Sequence, residues 1–393
     1  MKKIFLSIVL SFSLLILAAQ SKSDSTGFQF KTIKEIPTTS VKNQYKSGTC
    51  WSYATVSFLE TEVLRLTKDT VDLSEIYFVY HAYRAKADNY VRLHGRANFG
   101  PGGQAHDVLD VVRKHGVVEE SEYRGINYGT ENHEHSEIDA VLENFLKAIV
   151  RKPNETLSPV WVDAFTQLLI SYLGEPKKAN QTISDPIAYA KSLKINPDDY
   201  IEITSYSHHP FYQKIRLEIP DNWSYNSEYY NVTLDDLINI IKESLNKGYS
   251  VCWDGDVSNA GFSHQNRVAI LPETKVENLK GTEMSRWENL SADELISNAY
   301  SFKSPVPEKK VSQEYRQFNF DNQSVTDDHL MLLTGIVEDQ NGTKYFTTKN
   351  SWGESNDLGG YLYMSESYLQ LNTVAIMIHK DALSKEMMKK LGL

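Results

Sequence analysis

Apolar residues recur at helical spacing through the first third of the chain. From Cys50 to Leu66 they fall at Ala54, Phe58 and Leu59, then at Val63, Leu64 and Leu66, which predicts a helix with Thr49 as its N-cap. A second helix is predicted over Leu73–Ala87, opened by Ser74, and a third over Gln104–His115, stopped by Gly116. Between them, Asn98-Phe99-Gly100-Pro101-Gly102-Gly103 has the composition of a loop. Residues 130–245 are polar and rich in Lys, Asn, Glu and Tyr, and they read as a helical insertion with connectors. Thr233–Lys247 is the helix that leads out of it. From Tyr249 onward the pattern turns to β-type runs: Ser250–Trp253, Leu330–Val337, Lys344–Lys349 and Val374–His379. Helices first and strands later predict an α+β organisation in two lobes. The helical lobe is expected over residues 22–129, an antiparallel β lobe over 246–382, and a tail over 383–393.

The two strands around Asn341-Gly342 predict a hairpin. With a two-residue loop, Asn350 faces Leu333; with the loop Asp339–Gly342, it faces Met331. Either register puts His329 an even number of residues from the position opposite Asn350. Both side chains then share one face at one end of the hairpin, two to four residues apart.

Composition narrows the class. The chain has 393 residues, 41% of them hydrophobic, enough for a sizeable core. A mean hydropathy of −0.42 excludes a polytopic membrane protein. Lys2-Lys3 followed by the apolar run Ile4–Ala19 reads as an export signal ending by residue 21. The mature protein is expected to be periplasmic or secreted, without stable membrane contact. Net charge is −10 and no basic run occurs, which argues against a nucleic-acid partner. His133 with His135, and His208 with His209, lack a convincing partner set for zinc, so no metal and no cofactor are expected.

The two cysteines, Cys50 and Cys252, differ in setting. Cys50 follows Gly48-Thr49 at a helix start, where unpaired N–H groups and the positive helix end favour a thiolate. His329 would supply the base, and its imidazolium would pair with that thiolate. Asn350 would accept the other ring N–H and fix the tautomer. Gln44, with the Cys50 backbone N–H, would hold an oxyanion. Trp352 would shield the His–Asn bond from water. This set of groups fits amide hydrolysis through a thioester. Cys252 reads as a structural residue.

The segments Gln44…Ser47-Gly48-Thr49-Cys50-Trp51-Ser52, the His329 region and Asn350-Ser351-Trp352-Gly353 resemble the papain superfamily of cysteine peptidases. Gly48-Thr49-Cys50-Trp51 and Thr326-Asp327-Asp328-His329 are similar to its bleomycin hydrolase and aminopeptidase C branch. Gly102-Gly103-Gln104, Lys114–Val118 and Gly360–Met364 support that likeness. The resemblance implies a papain-like two-lobe fold with Cys50 on the helical lobe, His329 and Asn350 on the β lobe, and a cleft between them. It implies peptide substrates and places Gly102 and Gly103 along the cleft, paired with substrate backbone. It also implies that the C-terminal tail lies in the cleft, with the Leu393 carboxylate capturing a substrate amino group. Members of the branch often assemble into oligomers, so the resemblance allows a homo-oligomer. The expected activity is that of an aminopeptidase or oligopeptide trimmer. An endopeptidase, an acyl transferase and a peptide-binding relative without turnover use the same residues.

Overall fold

The structure, a computed structural model, describes residues 27–151, 156–176, 183–274 and 292–393. The export signal expected over residues 1–21 lies outside them. The helical lobe holds α1 (Cys50–Thr67), α2 (Glu75–Arg92), α3 (Ala105–His115), α4 (Ser136–Val150), α5 (Val160–Leu173) and α6 (Pro186–Ser192). The rest of the described chain contributes α7 (Leu234–Lys247), α8 (Ala292–Ala299), α9 (Gln313–Asp321), α10 (Glu366–Asn372) and α11 (Lys385–Leu391).

One sheet spans the second lobe. Its strands are β1 (Phe30–Glu35), β2 (Tyr200–Thr204), β3 (Gln213–Ile215), β4 (Tyr229–Asn231) and β5 (Val251–Gly255). They are followed by β6 (Phe262–Ser263), β7 (Val268–Ala269), β8 (His329–Asp339), β9 (Lys344–Lys349), β10 (Tyr361–Ser365) and β11 (Thr373–His379). The order is β3-β4-β2-β11-β5-β8-β9-β10-β7-β6, with β1 added alongside β8. Long β8 is shared: its first half pairs with β5 and its second half with β1.

Two expectations need correction here. The sheet is mixed rather than antiparallel throughout, since β2 pairs parallel to β4 and β10 parallel to β7. Residues 130–245 are not only helical, because β2, β3 and β4 lie within them and extend the sheet. These strands are three to five residues long, too short to show alternation against a polar background.

The sheet separates two cores. On one face, Cys252, Leu330, Leu332 and Met377 pack with the helical lobe, above all with α1. On the other, Val251, Trp253, Met331, Leu333 and Ile376 meet α7, α10 and α11. The strand period of two assigns alternate residues of β5 and β8 to the two cores. Helix α1 is buried along most of its length, so the residue at its head is held between the lobes.

Candidate active site

Cys50 is the first residue of α1. Gly48, at φ +64°, makes the turn before it, and a Cβ there would lie 2.9 Å from the Pro101 ring. Thr49 occupies the N-cap position but its side chain makes no capping bond. Instead its hydroxyl lies 2.5 Å from that of Ser47, so no side-chain oxygen caps the first turn; the Ser52 N–H goes to the Thr49 carbonyl at 3.0 Å. Cys50 and Cys252 are both free thiols, which excludes a disulfide. Cys252 is buried behind α1, with the Thr55 hydroxyl 3.6 Å from its sulfur.

His329 and Asn350 come together through a register change within the hairpin. Near the turn, Glu338 faces Lys344 and Gly335 faces Thr347; beyond a bulge at Thr334, Leu333 faces Thr348 and Leu332 faces Lys349. Continuing the outer register without the bulge would set Asn350 opposite Leu332, three residues from His329 and on the other face. The extra residue in β8 moves that position to Met331, two residues away, and restores the shared face. His329 Nε2 then lies 2.8 Å from Asn350 Oδ1. Lys349 anchors the Asn350 end to α1 by donating to Ser57 Oγ at 2.7 Å.

The hydrogen bonds assign the His329 tautomer. Asn350 Oδ1 also accepts the Ser351 N–H at 2.7 Å, while Asn350 Nδ2 faces His264 Nδ1 at 3.3 Å. The amide oxygen therefore points to His329, whose Nε2 carries the hydrogen and whose Nδ1 carries none. The Trp352 ring stacks on His329 at 4.9 Å between centroids and covers the His–Asn pair. The His264 ring lies edge-on to Trp352 at 5.1 Å and its Nε2 is 3.0 Å from Ser355 Oγ.

The backbone N–H of Leu330, the residue after His329, faces the Cys50 sulfur and favours its charged form. The thiol and the imidazole thus lie at the same end of β8. Gln44 joins them from the segment before α1. Its side-chain oxygen accepts from Ser351 Oγ at 2.6 Å and its N–H donates to the Ser351 carbonyl at 2.8 Å. The bond fixes the Gln44 amide with its oxygen on Ser351, and its NH₂ remains to donate.

Electrostatics differ from the ion pair expected from the sequence. Burial pushes the Cys50 thiol up to about 12, and the Leu330 N–H offsets this only in part; the charges of Asp327, Asp254 and Asp221 add to the rise. Burial pushes His329 down to about 4, against the pull of the Asn350 bond. Burial favours a neutral thiol and a neutral imidazole, because desolvation penalises both charged forms.

The glycines and the tail are placed differently from their expected roles. A Cβ on Gly103 would meet Asp107 Oδ2 at 2.8 Å and the Trp51 ring at 3.0 Å, so its smallness serves internal packing. A Cβ on Gly102 would lie 1.8 Å from Asp221 Oδ2, and Lys86 Nζ donates to the Gly102 carbonyl. Leu393 is not brought to the catalytic group. Helix α11 packs through Met387 and Leu391 into the core that α7 shares. Leu393 lines a cavity of about 530 Å³ with His106, Glu202, Lys214, Glu228 and Tyr230. Elsewhere, His208 and His209 both hydrogen-bond Glu218 at the surface.

The family model described as Papain family cysteine protease matches residues 26–167, and that of the Peptidase C1-like family matches residues 297–392. Aminopeptidase C of Listeria innocua is 23% identical over 90% of this chain and 83% of its own length. Aminopeptidase G of Lactobacillus delbrueckii is 21% identical over 91% and 85%, respectively. The solved structure of PepW from Lactobacillus rhamnosis superposes with a TM-score of 0.68 at 18% identity, covering 92% of this chain and 84% of that one. The chain belongs to the papain superfamily, in its aminopeptidase C branch. It is a cysteine-type peptidase. Within this peptidase the sequence reading missed His264, which lies in a polar turn after a two-residue strand and carries no local pattern.

Proposed function

We propose that the protein is an exported aminopeptidase that trims oligopeptides from their N-termini through a thioester acyl-enzyme. The carrying observation is the Cys50 sulfur beside the Leu330 N–H, next to a His329 whose protonated nitrogen is held by Asn350. As the sulfur attacks the scissile carbonyl, His329 Nδ1 takes its proton. The carbonyl oxygen gains charge between the Cys50 backbone N–H and the Gln44 NH₂. The C–N bond then breaks, and His329 returns the proton to the departing amine. Water, deprotonated by the same nitrogen, hydrolyses the thioester and regenerates the thiol. The names of the relatives, aminopeptidases C and G, support action at chain ends. Export rests on the apolar segment behind Lys2-Lys3.

Mass spectrometry of a digested pool of synthetic peptides tests the activity. Stepwise loss of N-terminal residues, abolished in Cys50→Ala, is expected. Internal cuts would make the protein an endopeptidase, and new amides formed with added amines would make it an acyl transferase. Fractionation of the native cells tests export: the expected form lies outside the cytoplasm and starts downstream of Ala19. A full-length cytoplasmic form would overturn that part.

A further inference from the structure

The segment between β3 and β4 packs against α2, α3 and the loop of residues 98–103 and is tied there by hydrogen bonds. Asn222 and Trp223 are buried. Asn222 Nδ2 donates to the carbonyls of Leu217 and Asn226, each at 2.9 Å, and its Oδ1 accepts the Asn226 N–H at 2.8 Å. Trp223 Nε1 donates to Asp107 Oδ2 at 2.8 Å, and Asn89 Nδ2 donates to the Trp223 carbonyl at 2.7 Å. This framework holds Asp221, which is partly exposed, directly over Gly102.

Asp221 and Lys86 together close the route along the glycines. The carboxylate fills the space where a Gly102 side chain would sit, and Lys86 occupies the Gly102 carbonyl. Both groups crowd the edge of Gly102 along which an extended peptide would run on. Among the described residues, Asn98 is the hydrogen-bond donor to Asp221, through Oδ1 at 3.0 Å. Lys86 directs its ammonium to the Gly100 and Gly102 carbonyls instead. Asp221 is also near enough to act on the Cys50 thiol by charge. Lys86, Asp107 and Asp139 are the charged neighbours in this region, two acids against one base before Asp221 is counted.

Resting on the aminopeptidase reading, we infer that Asp221 is the specificity-determining anion of this site: it stops the peptide beyond the scissile residue and binds the free α-ammonium group of the substrate. A chain end fits this place on two grounds. It needs little backbone room past Gly102, and its positive charge complements the partly exposed Asp221 carboxylate. A blocked N-terminus brings neither property. The Leu393 carboxylate, the anchor that the resemblance implies, lies in another cavity.

The experiment compares three fluorogenic amides on the full-length enzyme: the aminoacyl aminocoumarin that it cleaves fastest, the N-acetyl form and the des-amino form. Asp221→Asn is expected to raise KM for the free-amine substrate about ten- to a hundredfold with little change in kcat. Cleavage of the N-acetyl and des-amino forms is expected to hold or rise. Asn98→Ala, which keeps the charge but frees its oxygen, is expected to raise KM for the free amine alone and by less. Removing Leu393 is expected to leave all three unchanged. Equal loss on all three substrates in Asp221→Asn, an unchanged free-amine KM, or a KM rise on removing Leu393 instead would overturn the assignment. A wild-type enzyme that cuts only internal bonds would instead refute the aminopeptidase reading itself.

Discussion

Gln44 and Ser351 are joined twice, by the Ser351 hydroxyl donating to the Gln44 side-chain oxygen at 2.6 Å and by the Gln44 N–H donating to the Ser351 carbonyl at 2.8 Å. Gln44, ahead of α1, and the loop carrying Asn350 are thus one unit across the lobe boundary. Substituting Gln44→Ala is expected to lower kcat by about 10²–10³ without loss of fold. Ser351→Ala leaves the Gln44 amide free to rotate, and a smaller fall of about tenfold is expected. Steady-state kinetics on one substrate checks both. Equal activity in Ser351→Ala would mean that the backbone bond alone orients Gln44.

His264 is expected to act on catalysis through Asn350. Its Nδ1 holds the Asn350 NH₂ and so keeps the oxygen turned to His329. In His264→Ala, kcat should fall about three- to tenfold, the loss of one hydrogen bond of about 1 kcal/mol, with KM unchanged. In Asn350→Ala the fall should be larger and His264→Ala should add nothing to it. Additive losses in the double variant would separate the two residues.

The neutral resting pair has a pH signature. Burial holds Cys50 up at about 12 and His329 down at about 4. Alkylation of Cys50 by iodoacetamide should therefore keep rising through pH 9. The acid limb of kcat/KM should follow His329 near pH 4, where the base is lost by protonation. An alkylation rate already level from about pH 4 upward would mean that a thiolate–imidazolium pair exists before substrate binds.

Much of the site was legible because its chemistry is packed into short runs. Gly48-Thr49-Cys50-Trp51 and Asn350-Ser351-Trp352-Gly353 carry the proposed nucleophile and orienter, and hairpin parity placed His329 near Asn350. The parity held for a reason that the sequence hides. The loop leaves an odd register at the turn, and the bulge at Thr334 reverses it. Pairing geometry of that kind depends on tertiary packing rather than on residue type. Strands β2, β3 and β4 were hidden because so few residues carry each of them. The roles of Gly102 and Gly103 were misjudged because a glycine shows only that something comes close, and here Asp221 and Trp51 do.

Acid stability offers a separate check on buried histidines away from the catalysis. Burial lowers His135 to about 3 and His133 to about 4, below the unfolded value of about 6.5. Their stabilising contribution is complete above pH 6.5 and is lost as pH falls towards 3–4, because the unfolded chain binds the extra protons. His135→Gln should therefore show a smaller drop in Tm between pH 6.5 and 4 than the wild type. An unchanged drop would mean that His135 is not held neutral in the folded state.

The thioester is the central claim, and intact-protein mass spectrometry during turnover of a slow ester substrate addresses it most directly. A transient adduct of one acyl group is predicted, mapping to Cys50 and not to Cys252, and absent in Cys50→Ala. An adduct on any other residue, or turnover that survives Cys50→Ala, would contradict the mechanism.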